Sequence, residues 1–571
     1  MQPERFTMLR SAFAMCLLFT VPAGAQHQHN APAKSPVEMY TGLGGVHHPV
    51  STQNADAQKY FDQGLALLYG FNHEEAAKAF DAAAKLDPNL AIAHWGVALV
   101  NGQNYNAPEF PELLKIAKTE LATAQSMSPK ASPSEQALIS ALANRYDDSI
   151  GDTKAREKAY SDAMGEVSAK FPDDLDVATL YAESLMNLTP WQLWSKDGKP
   201  GPNTEKVIAI LESVLRRNPQ HIGANHYYIH AVEASPDPER GIASANRLRD
   251  LKLSAGHLVH MPGHIYLRTG DYAAAGDVNV AAANADMTYI EHSGIKPGIY
   301  SMMYYSHNLH FLALADSMAG RYASSRAAAD KLSAHVGPAV KDMPMVEAFM
   351  LVKTYVLVRF GKWDELLAAS EPDKSLRLLH AMWHWGRGMA DVAKGNYAGA
   401  ETELKAVDEA QTSAPADAMV DKNSQANVLS VASHMLAARI AGAKGDLATA
   451  EKHYDEAAQL HDNFNYIEPP EWPFPVRESH GAMLLRAGKP ADAEKQFRAD
   501  LERFPRNGRS LFGLAESLKA QGNTEGARLI EMEFKDAWKP ADTKLSVDSL
   551  EIGSGAVPSQ KATASAMASP R

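Results

Sequence analysis

Helical periodicity dominates this chain from about Ala57 onward. Apolar and alanine-rich segments recur at the spacing of one helix face, and Gly or Asp-Pro pairs separate them. No segment shows the strict apolar–polar alternation of a half-buried strand. The segments also repeat with a period of about 34 residues, which is the length of a two-helix unit. The sequence therefore predicts an all-α chain built from repeated helix pairs.

Small and aromatic residues recur at matching positions of these units. The unit beginning at Ala57 has Gly64, Ala76, Phe80, Ala83 and Pro88. Similar units begin at Gly256, Ala381, Val431 and Phe474, and weaker copies begin near Leu175, Ser306, Glu347 and Gly508. The pattern resembles the tetratricopeptide repeat (TPR), whose small residues let two helices pack closely. The resemblance covers most of residues 57–538 and implies a right-handed α-solenoid with a concave groove.

Three segments interrupt the repeats, at residues 101–111, 190–202 and 467–476. They contain prolines, which cannot continue a helix, so we expect connecting loops or, as the alternative, a lid over a ligand. Residues 26–54 are rich in Pro, His and Gly and are expected to form a flexible arm. Residues 546–571 are rich in Ser and Ala and have no aromatic residue, which predicts a disordered tail.

Residues 1–25 have the features of a secretory signal peptide. Arg5 and Arg10 precede an apolar run over residues 11–21, and Ala23-Gly24-Ala25 supplies small residues for cleavage. The only cysteine, Cys16, lies in this segment, so the mature protein must be stabilised by its core rather than by disulfides. No later stretch is apolar for long enough to span a bilayer. We therefore predict an exported, soluble protein, periplasmic or extracellular.

The charge of the chain restricts its partners. The formal net charge is −12 at pH 7. Lys and Arg do not cluster as phosphate contacts require, so we expect no nucleic-acid partner. A TPR groove implies a protein or peptide partner, and a small-molecule ligand is the alternative. The chain also lacks the H-E-x-x-H, G-x-S-x-G and P-loop motifs of familiar enzymes.

Seven histidines and one glutamate occur between Gly223 and His310 at spacings of three, four and seven residues. Those spacings put side chains on one face of a helix. The residues are His226, His230, Glu233, His257, His260, His264, His307 and His310. In the frame of the TPR resemblance, they fall on groove-facing positions of three neighbouring units. Glu183 is a weaker candidate for the same wall of the groove.

Imidazole and carboxylate groups are good ligands for Zn, Cu or Fe, and histidines three or four residues apart on a helix can reach one ion. We therefore predict that a subset of these eight residues binds a transition-metal ion, beside a ligand in the groove. Glu233 would ligate the ion, orient a ligand histidine, or act as a catalytic base on metal-bound water. Two alternatives stay open: a metal-free scaffold for a peptide or partner helix, and a metal-dependent hydrolase or oxidase that uses Glu233.

Two motifs in this region are similar to those of exported bacterial TPR proteins, a resemblance that implies no reaction. They are Asn-His-Tyr-Tyr-Ile-His-Ala-Val-Glu, which ends at Glu233, and His-Leu-Val-His-Met-Pro-Gly-His, which ends at His264. His380, His384 and His434 are interpreted as packing or rim residues. The arm histidines, which are His27, His29, His47 and His48, would bind a metal only loosely. The insertion between Ala283 and Ser306 leaves open whether the third histidine-bearing helix meets the other two.

Overall fold

Nearly every stretch with helical periodicity forms a helix in the computed structural model, which describes residues 37–293, 298 and 300–551. The prediction of an all-α solenoid is confirmed. Among the described residues, strands are limited to a two-residue hairpin, β1 (Met419–Val420) and β2 (Asn423–Ser424). The chain divides into two units, Met1–Glu38 and Met39–Arg571, and all elements below belong to the second. The expected signal peptide lies outside the described residues.

The α-helices up to the histidine-rich region are α1 (Ala55–Tyr69), α2 (His73–Leu86), α3 (Ala91–Val100), α4 (Pro111–Met127), α5 (Pro133–Tyr146), α6 (Thr153–Lys170), α7 (Leu175–Met186), α8 (Thr204–Arg217), α9 (Ile222–Val232), α10 (Ile242–Asp250), α11 (Gly256–His260), α12 (Pro262–Arg268), α13 (Tyr272–Ser293) and α14 (Tyr305–Met318). A π-helical turn, Tyr300–Tyr304, leads into α14. Short 3-10 turns lie at Ser128–Lys130, Pro238–Gly241, Gly337–Ala339 and Pro344–Val346.

The remaining α-helices are α15 (Tyr322–Val336), α16 (Glu347–Arg359), α17 (Trp363–Ala368), α18 (Arg377–Ala393), α19 (Tyr397–Thr412), α20 (Gln425–Ala443), α21 (Leu447–Asp462), α22 (Val476–Arg486), α23 (Pro490–Arg503), α24 (Gly508–Ala520), α25 (Thr524–Ala537) and α26 (Val547–Leu550). Consecutive helices pack on each other and bury a core that continues from one pair to the next. The segments expected to interrupt the repeats lie between α3 and α4, between α7 and α8, and between α21 and α22.

Phe80 of α2 shows why the repeats need small residues. Its buried ring lies between Gly64 of α1 and Gly96 of α3, and a Cβ atom on either glycine would approach the ring to 2.6 Å. Phe497 of α23 holds the equivalent place between Gly481 of α22 and Gly513 of α24. Three helices therefore pack around one aromatic ring only because two of them present no side chain there.

The carboxyl-terminal helices return to the middle of the chain. The Asp542 carboxylate accepts hydrogen bonds from the backbone N–H groups of Tyr322 and Ala323 at the start of α15, at 2.7 and 2.9 Å. Gly270, after α12, has a φ of +79° and lies so close to Pro505 that a Cβ would be 2.1 Å from the Pro505 oxygen. These contacts bring the segment between α21 and α22 towards α9 and α12.

The described part of the expected flexible arm is fixed by contacts. The backbone N–H of Tyr40 donates to the Gln63 side chain of α1 at 2.7 Å. Nδ1 of His48 lies 3.0 Å from the Asp176 carboxylate, with which it forms an ion pair when protonated. Residues 39–54 therefore pack along α1 and α7, because their polar groups find partners there.

The start of the expected disordered tail is also packed. The carboxylate of Glu551, which is 2% exposed, forms ion pairs with Arg439 and Arg486. Arg509 donates hydrogen bonds to the backbone oxygens of Ser549 and Leu550 at 2.5 and 2.9 Å. Residues 546–551 are held because a buried carboxylate neutralises two arginines, and the rest of the tail lies outside the described residues.

Gly513→Ala should destabilise the protein by about 1–3 kcal/mol, because the added methyl group would lie 2.2 Å from the buried Phe497 ring. Gly442→Ala in α20 is the matched control, since its Cβ would meet no atom closer than 3.7 Å. The control should be more stable than wild type by roughly 0.5–1 kcal/mol, because alanine loses less backbone entropy in a helix. Urea unfolding measures both changes, and equal stability of the two variants would contradict this packing.

Candidate metal centre

Four helices bring the predicted histidines to one region of the core. Helix α9 contains His226 and His230, and Glu233 is its carboxyl-terminal cap. Helix α11 contains His257 and His260, α12 contains His264, and α14 contains His307 and His310. The helical spacings explain why neighbouring histidines share a face. Gly223 lets α9 approach α1 closely, since a Cβ there would lie 2.4 Å from the Tyr69 ring.

The first histidine group consists of His226, His230 and His257, each with one ring nitrogen within 4.8 Å of the others. Nε2 of His226 lies 3.2 Å from Nε2 of His257. Nδ1 of His226 lies 2.6 Å from the backbone oxygen of Tyr69. Because a carbonyl oxygen only accepts, this Nδ1 carries the proton and Nε2 of the neutral ring presents a lone pair. Nε2 of His230 and Nδ1 of His257 are buried and have no hydrogen-bond partner among the described residues.

The second histidine group consists of His260, His264 and His307, which meet the same distance limit. Nε2 of His260 lies 2.7 Å from Nε2 of His264 and 3.1 Å from Nε2 of His307. Nδ1 of His260 donates to Oδ1 of Asn279 at 2.7 Å, and the Asn279 amide is oriented by its own donation to the Ala275 oxygen. Nε2 of His260 therefore presents a lone pair. The helix that carries His307 does meet the other two, which the sequence left open.

Glu233 joins the two histidine groups. Its Oε1 accepts from Nδ1 of His230 at 2.7 Å, and its Oε2 accepts from Nδ1 of His264 at 2.5 Å. The Tyr466 hydroxyl donates to Oε2 as well, at 3.2 Å. Burial raises the pKa of Glu233, but the His264 and His230 rings lower it more, so the pKa lies well below its ordinary value. An ionised Glu233 fixes Nδ1 as the protonated nitrogen of both rings, and their Nε2 atoms present lone pairs.

Four of the six rings strongly favour the neutral form because of where they lie. Burial lowers the pKa of His226, His257, His260 and His307 well below its ordinary value, and neighbouring imidazoles lower it further. Since Nδ1 of His260 donates to Asn279 and Nδ1 of His264 donates to Glu233, the Nε2 atoms of these two rings face each other across 2.7 Å. Two lone pairs at this distance repel each other unless a proton or a metal ion lies between them. A transition-metal ion is the kind of cation that neutral imidazoles bind.

The histidines do not line an open groove, which corrects the placement expected from the TPR frame. His226 and His260 are fully buried, and Glu233 is 1% exposed. Aromatic rings enclose them, including Tyr105 and Trp191, whose centroids lie 5.0 and 5.9 Å from that of His230. Tyr105 and Trp191 belong to the first two proline-containing inserts. These inserts cover the cluster because their aromatic side chains pack on the imidazoles.

Two predicted residues lie apart from both groups. His310 is half-buried, and its ring packs edge-on against Phe349 with centroids 6.0 Å apart. Glu183 accepts a hydrogen bond from Asn187 at 2.5 Å, and burial raises its pKa to about 7.

Three partners of the cluster were missed by the sequence analysis. They are Tyr69, Asn279 and Tyr466. Tyr69 acts through its backbone oxygen, which leaves no sequence signal. Asn279 is one of many polar residues in an alanine-rich helix. Tyr466 directly precedes the third insert, whose aromatic content was the one available hint.

The other histidines form smaller polar pairs or groups. Nδ1 of His384 lies 2.5 Å from the Glu403 carboxylate and Nε2 of His380 lies 3.0 Å from that of Glu371. A half-buried third group, His434, His453 and Glu456, also has ligand atoms within 4.8 Å of one another. His434, interpreted as a packing residue, thus belongs to a partly exposed polar group. His48, Asp174 and Asp176 form a similar group. His27 and His29 lie outside the described residues.

A cavity of about 1190 Å³ adjoins the cluster. Its walls include the second insert with Trp191, α12 with Arg268, and the third insert with Glu468. Tyr466 lines the cavity and also bonds to Glu233, so one side chain connects the two sites. Oε2 of Glu468 is buried and has no hydrogen-bond partner among the described residues. Burial raises the pKa of Glu468 to about 7, although the nearby Arg268 lowers it.

Comparison with known proteins identifies the repeats. The model of the family described as "Tetratricopeptide repeat" matches residues 61–123 and 483–537, which cover α1–α4 and α22–α25. These two stretches of the chain are therefore tetratricopeptide repeats. No curated protein matches the chain.

Solved structures with similarity to this chain include the human IFIT1 dimer with PPP-AAAA and Naa15/Naa10 bound to HypK-THB. The first is 14% identical, with 85% of this chain and 91% of that chain covered and a TM-score of 0.32. The second is 16% identical, with 85% and 71% covered and a TM-score of 0.21. Across the described ranges, every helix falls short of the length and apolar character that a membrane span requires.

Glu468→Gln should stabilise the metal-free protein at pH 8 by about 1–3 kcal/mol and leave it unchanged near pH 4.5. In the unfolded chain Glu468 ionises near its ordinary pKa, whereas in the folded protein it keeps its proton up to about pH 7. Its contribution to stability is therefore lost as the pH rises through this window, and glutamine has no such loss. Urea unfolding at several pH values measures the difference, and a variant that is less stable at pH 8 would contradict the burial of this carboxyl with its Oε2 unpartnered.

Proposed function

We propose that this TPR protein binds a transition-metal ion, Zn, Cu or Fe, in its buried histidine cluster, and that a ligand approaches the ion from the adjoining cavity. The observation that carries the proposal is the contact between His260 and His264. Both rings donate Nδ1–H to a fixed acceptor, and their Nε2 lone pairs face each other at 2.7 Å. A metal ion that accepts both lone pairs turns this repulsion into two bonds.

The surroundings of the rings support a metal site. Metal-binding histidines usually donate their second ring nitrogen to a carboxylate or carbonyl, which fixes the tautomer and orients the ring. His226, His230, His260 and His264 all do so here, to Tyr69, Glu233 and Asn279. Nε2 of His230 is buried without a partner, as expected of a ligand atom.

Glu233 orients histidines in this proposal rather than acting as a catalytic base. Each of its carboxylate oxygens already accepts a hydrogen bond from a histidine. A base on metal-bound water must lie within hydrogen-bond reach of that water, whereas Glu233 contacts Nδ1 of each ring, the nitrogen opposite the Nε2 that would bind the metal. The geometry therefore favours metal binding over the hydrolase or oxidase that would use Glu233 as its base.

The ligand site in this proposal is the cavity. Rings of Trp191 and Tyr466, the guanidinium of Arg268 and the unpartnered Oε2 of Glu468 are available there to a ligand. A protein or peptide scaffold without metal is the second candidate function. The size of the cavity favours a peptide ligand, since its volume of about 1190 Å³ exceeds the roughly 300–1,000 Å³ of most small-molecule sites. Export to the periplasm or beyond is also proposed, from the signal-peptide pattern of residues 1–25.

Elemental analysis of untagged protein, before and after mild chelation, tests the metal proposal. Wild type should contain Zn, Cu or Fe in stoichiometric amount or take it up on reconstitution. The double variant His230→Ala/His260→Ala should lose it, because each substitution removes one ligand nitrogen from one group.

His94→Ala is the matched control. His94 lies 2.7 Å from the Glu120 carboxylate, the same distance as His230 from Glu233, but it lies outside both histidine groups. This control should keep the metal content of wild type. A wild type that stays metal-free on reconstitution, while it still binds a peptide in the cavity, would replace the metal proposal with the scaffold.

A further inference from the structure

We propose that the histidine cluster is a two-ion centre, in which the first and second histidine groups each bind one transition-metal ion and Glu233 links the two. The inference rests on the proposed metal binding and adds the number of ions, their ligands and their coupling. The sequence gives eight candidate residues in one continuous stripe. The structure divides six of them into two sets of three.

Each set has the geometry of a separate site. An ion bound to nitrogens at about 2.0–2.1 Å in a tetrahedral arrangement holds them roughly 3.3 Å apart. The observed Nε2 separations include 3.2 Å in the first group and 2.7 and 3.1 Å in the second. Small ring adjustments therefore suffice to receive one ion in each.

The two groups lie side by side. The ring centroids of His230 and His264, one from each group, are 5.7 Å apart, and those of His257 and His260 are 5.8 Å apart. The two sets of three nitrogens share no member. Two neighbouring three-nitrogen sites fit this arrangement better than one ion with six ligands.

Glu233 couples the two sites through its two oxygens. Oε1 orients His230 of the first group and Oε2 orients His264 of the second. A cation at either Nε2 strengthens the hydrogen bond from the opposite nitrogen to this carboxylate. The negative charge also offsets part of the cost of burying two cations. Loss of Glu233 should therefore weaken both sites, whereas loss of one histidine should empty mainly its own.

Each ion would keep an open position. Three protein nitrogens per ion are the ligand number of catalytic rather than structural zinc sites, which leave the fourth position for water or substrate. Tyr466 lies between Glu233 and the cavity, so the cavity is the side from which an exogenous ligand would arrive. Two adjacent open positions could hold one ligand that bridges both ions.

Counting the ions tests the inference. The protein is stripped by chelation, reloaded with Cu(II) or with Zn(II), freed of excess metal, and analysed for bound metal per chain. The measurements are made with His453→Ala and His48→Ala in the background, because the group of His434, His453 and Glu456 and the group of His48, Asp174 and Asp176 could each add an ion. We expect two ions per chain, one after His257→Ala, one after His307→Ala, and none after both.

Glu233→Gln and Tyr466→Phe are a matched pair of variants that test whether Glu233 couples the two sites. Glu233→Gln should lower the affinity of both ions by about 10–100-fold, because it removes the carboxylate that orients one ring in each group. Tyr466→Phe removes one hydrogen bond to the same carboxylate and leaves both histidine contacts in place, so it should retain two ions. Weakening of one ion only by Glu233→Gln would overturn the coupling.

Electron paramagnetic resonance of the Cu(II)-loaded protein answers the same question without a cluster variant that could misfold. Two adjacent Cu(II) ions interact through space, so the spectrum should show dipolar splitting or broadening beyond that of an isolated Cu(II) ion. Two uncoupled coppers, or one ion per chain that either His257→Ala or His307→Ala abolishes, would overturn the two-ion centre and leave the proposed function intact. No bound ion at all would overturn both.

Discussion

The carboxylate of Glu233 is the point at which three separate parts of the chain meet. It is buried away from water. It accepts hydrogen bonds from His230, three residues earlier in α9, from His264 in α12, and from Tyr466, 233 residues later in the sequence. A buried carboxylate without such partners would cost several kcal/mol. The carboxylate therefore fixes the rotation of the His230 and His264 rings, and with it the direction in which their Nε2 atoms point.

The solenoid supplies the enclosure that makes this chemistry available. Glycines at the helix contacts bring α1 against α9 through Gly223, and Gly270 lets the carboxyl-terminal half approach α12. The ammonium group of Lys196 in the second insert donates to the backbone oxygen of Asn463, so the second insert contacts the segment that leads to Tyr466 and the third insert. Water is kept from the imidazoles by aromatic rings on these inserts, and exclusion of water strengthens every charge interaction at the cluster.

Much of the fold follows from local sequence. Periodicity and the glycines that face Phe80 and Phe497 predict the helix pairs, because any side chain at those glycines would clash with the aromatic ring. The spacing of His226 and His230 likewise predicts a shared helix face. The burial of the stripe could not be predicted, because it depends on Tyr105 and Trp191 from inserts without periodicity. The packed start of the tail was missed because the arginines that hold Glu551 are distant in sequence.

The position of bound metal tests the central claim most directly. Crystals of the metal-loaded protein, measured on both sides of the absorption edge of the ion, would locate each ion by its anomalous scattering. The account predicts two peaks in the core, each at about 2.0–2.1 Å from Nε2 atoms of one histidine group, with Glu233 bonded to both groups from outside. Metal at only one group would contradict the pair of sites, and metal confined to the partly exposed group of His434, His453 and Glu456 would contradict the assignment of the buried cluster as the metal centre.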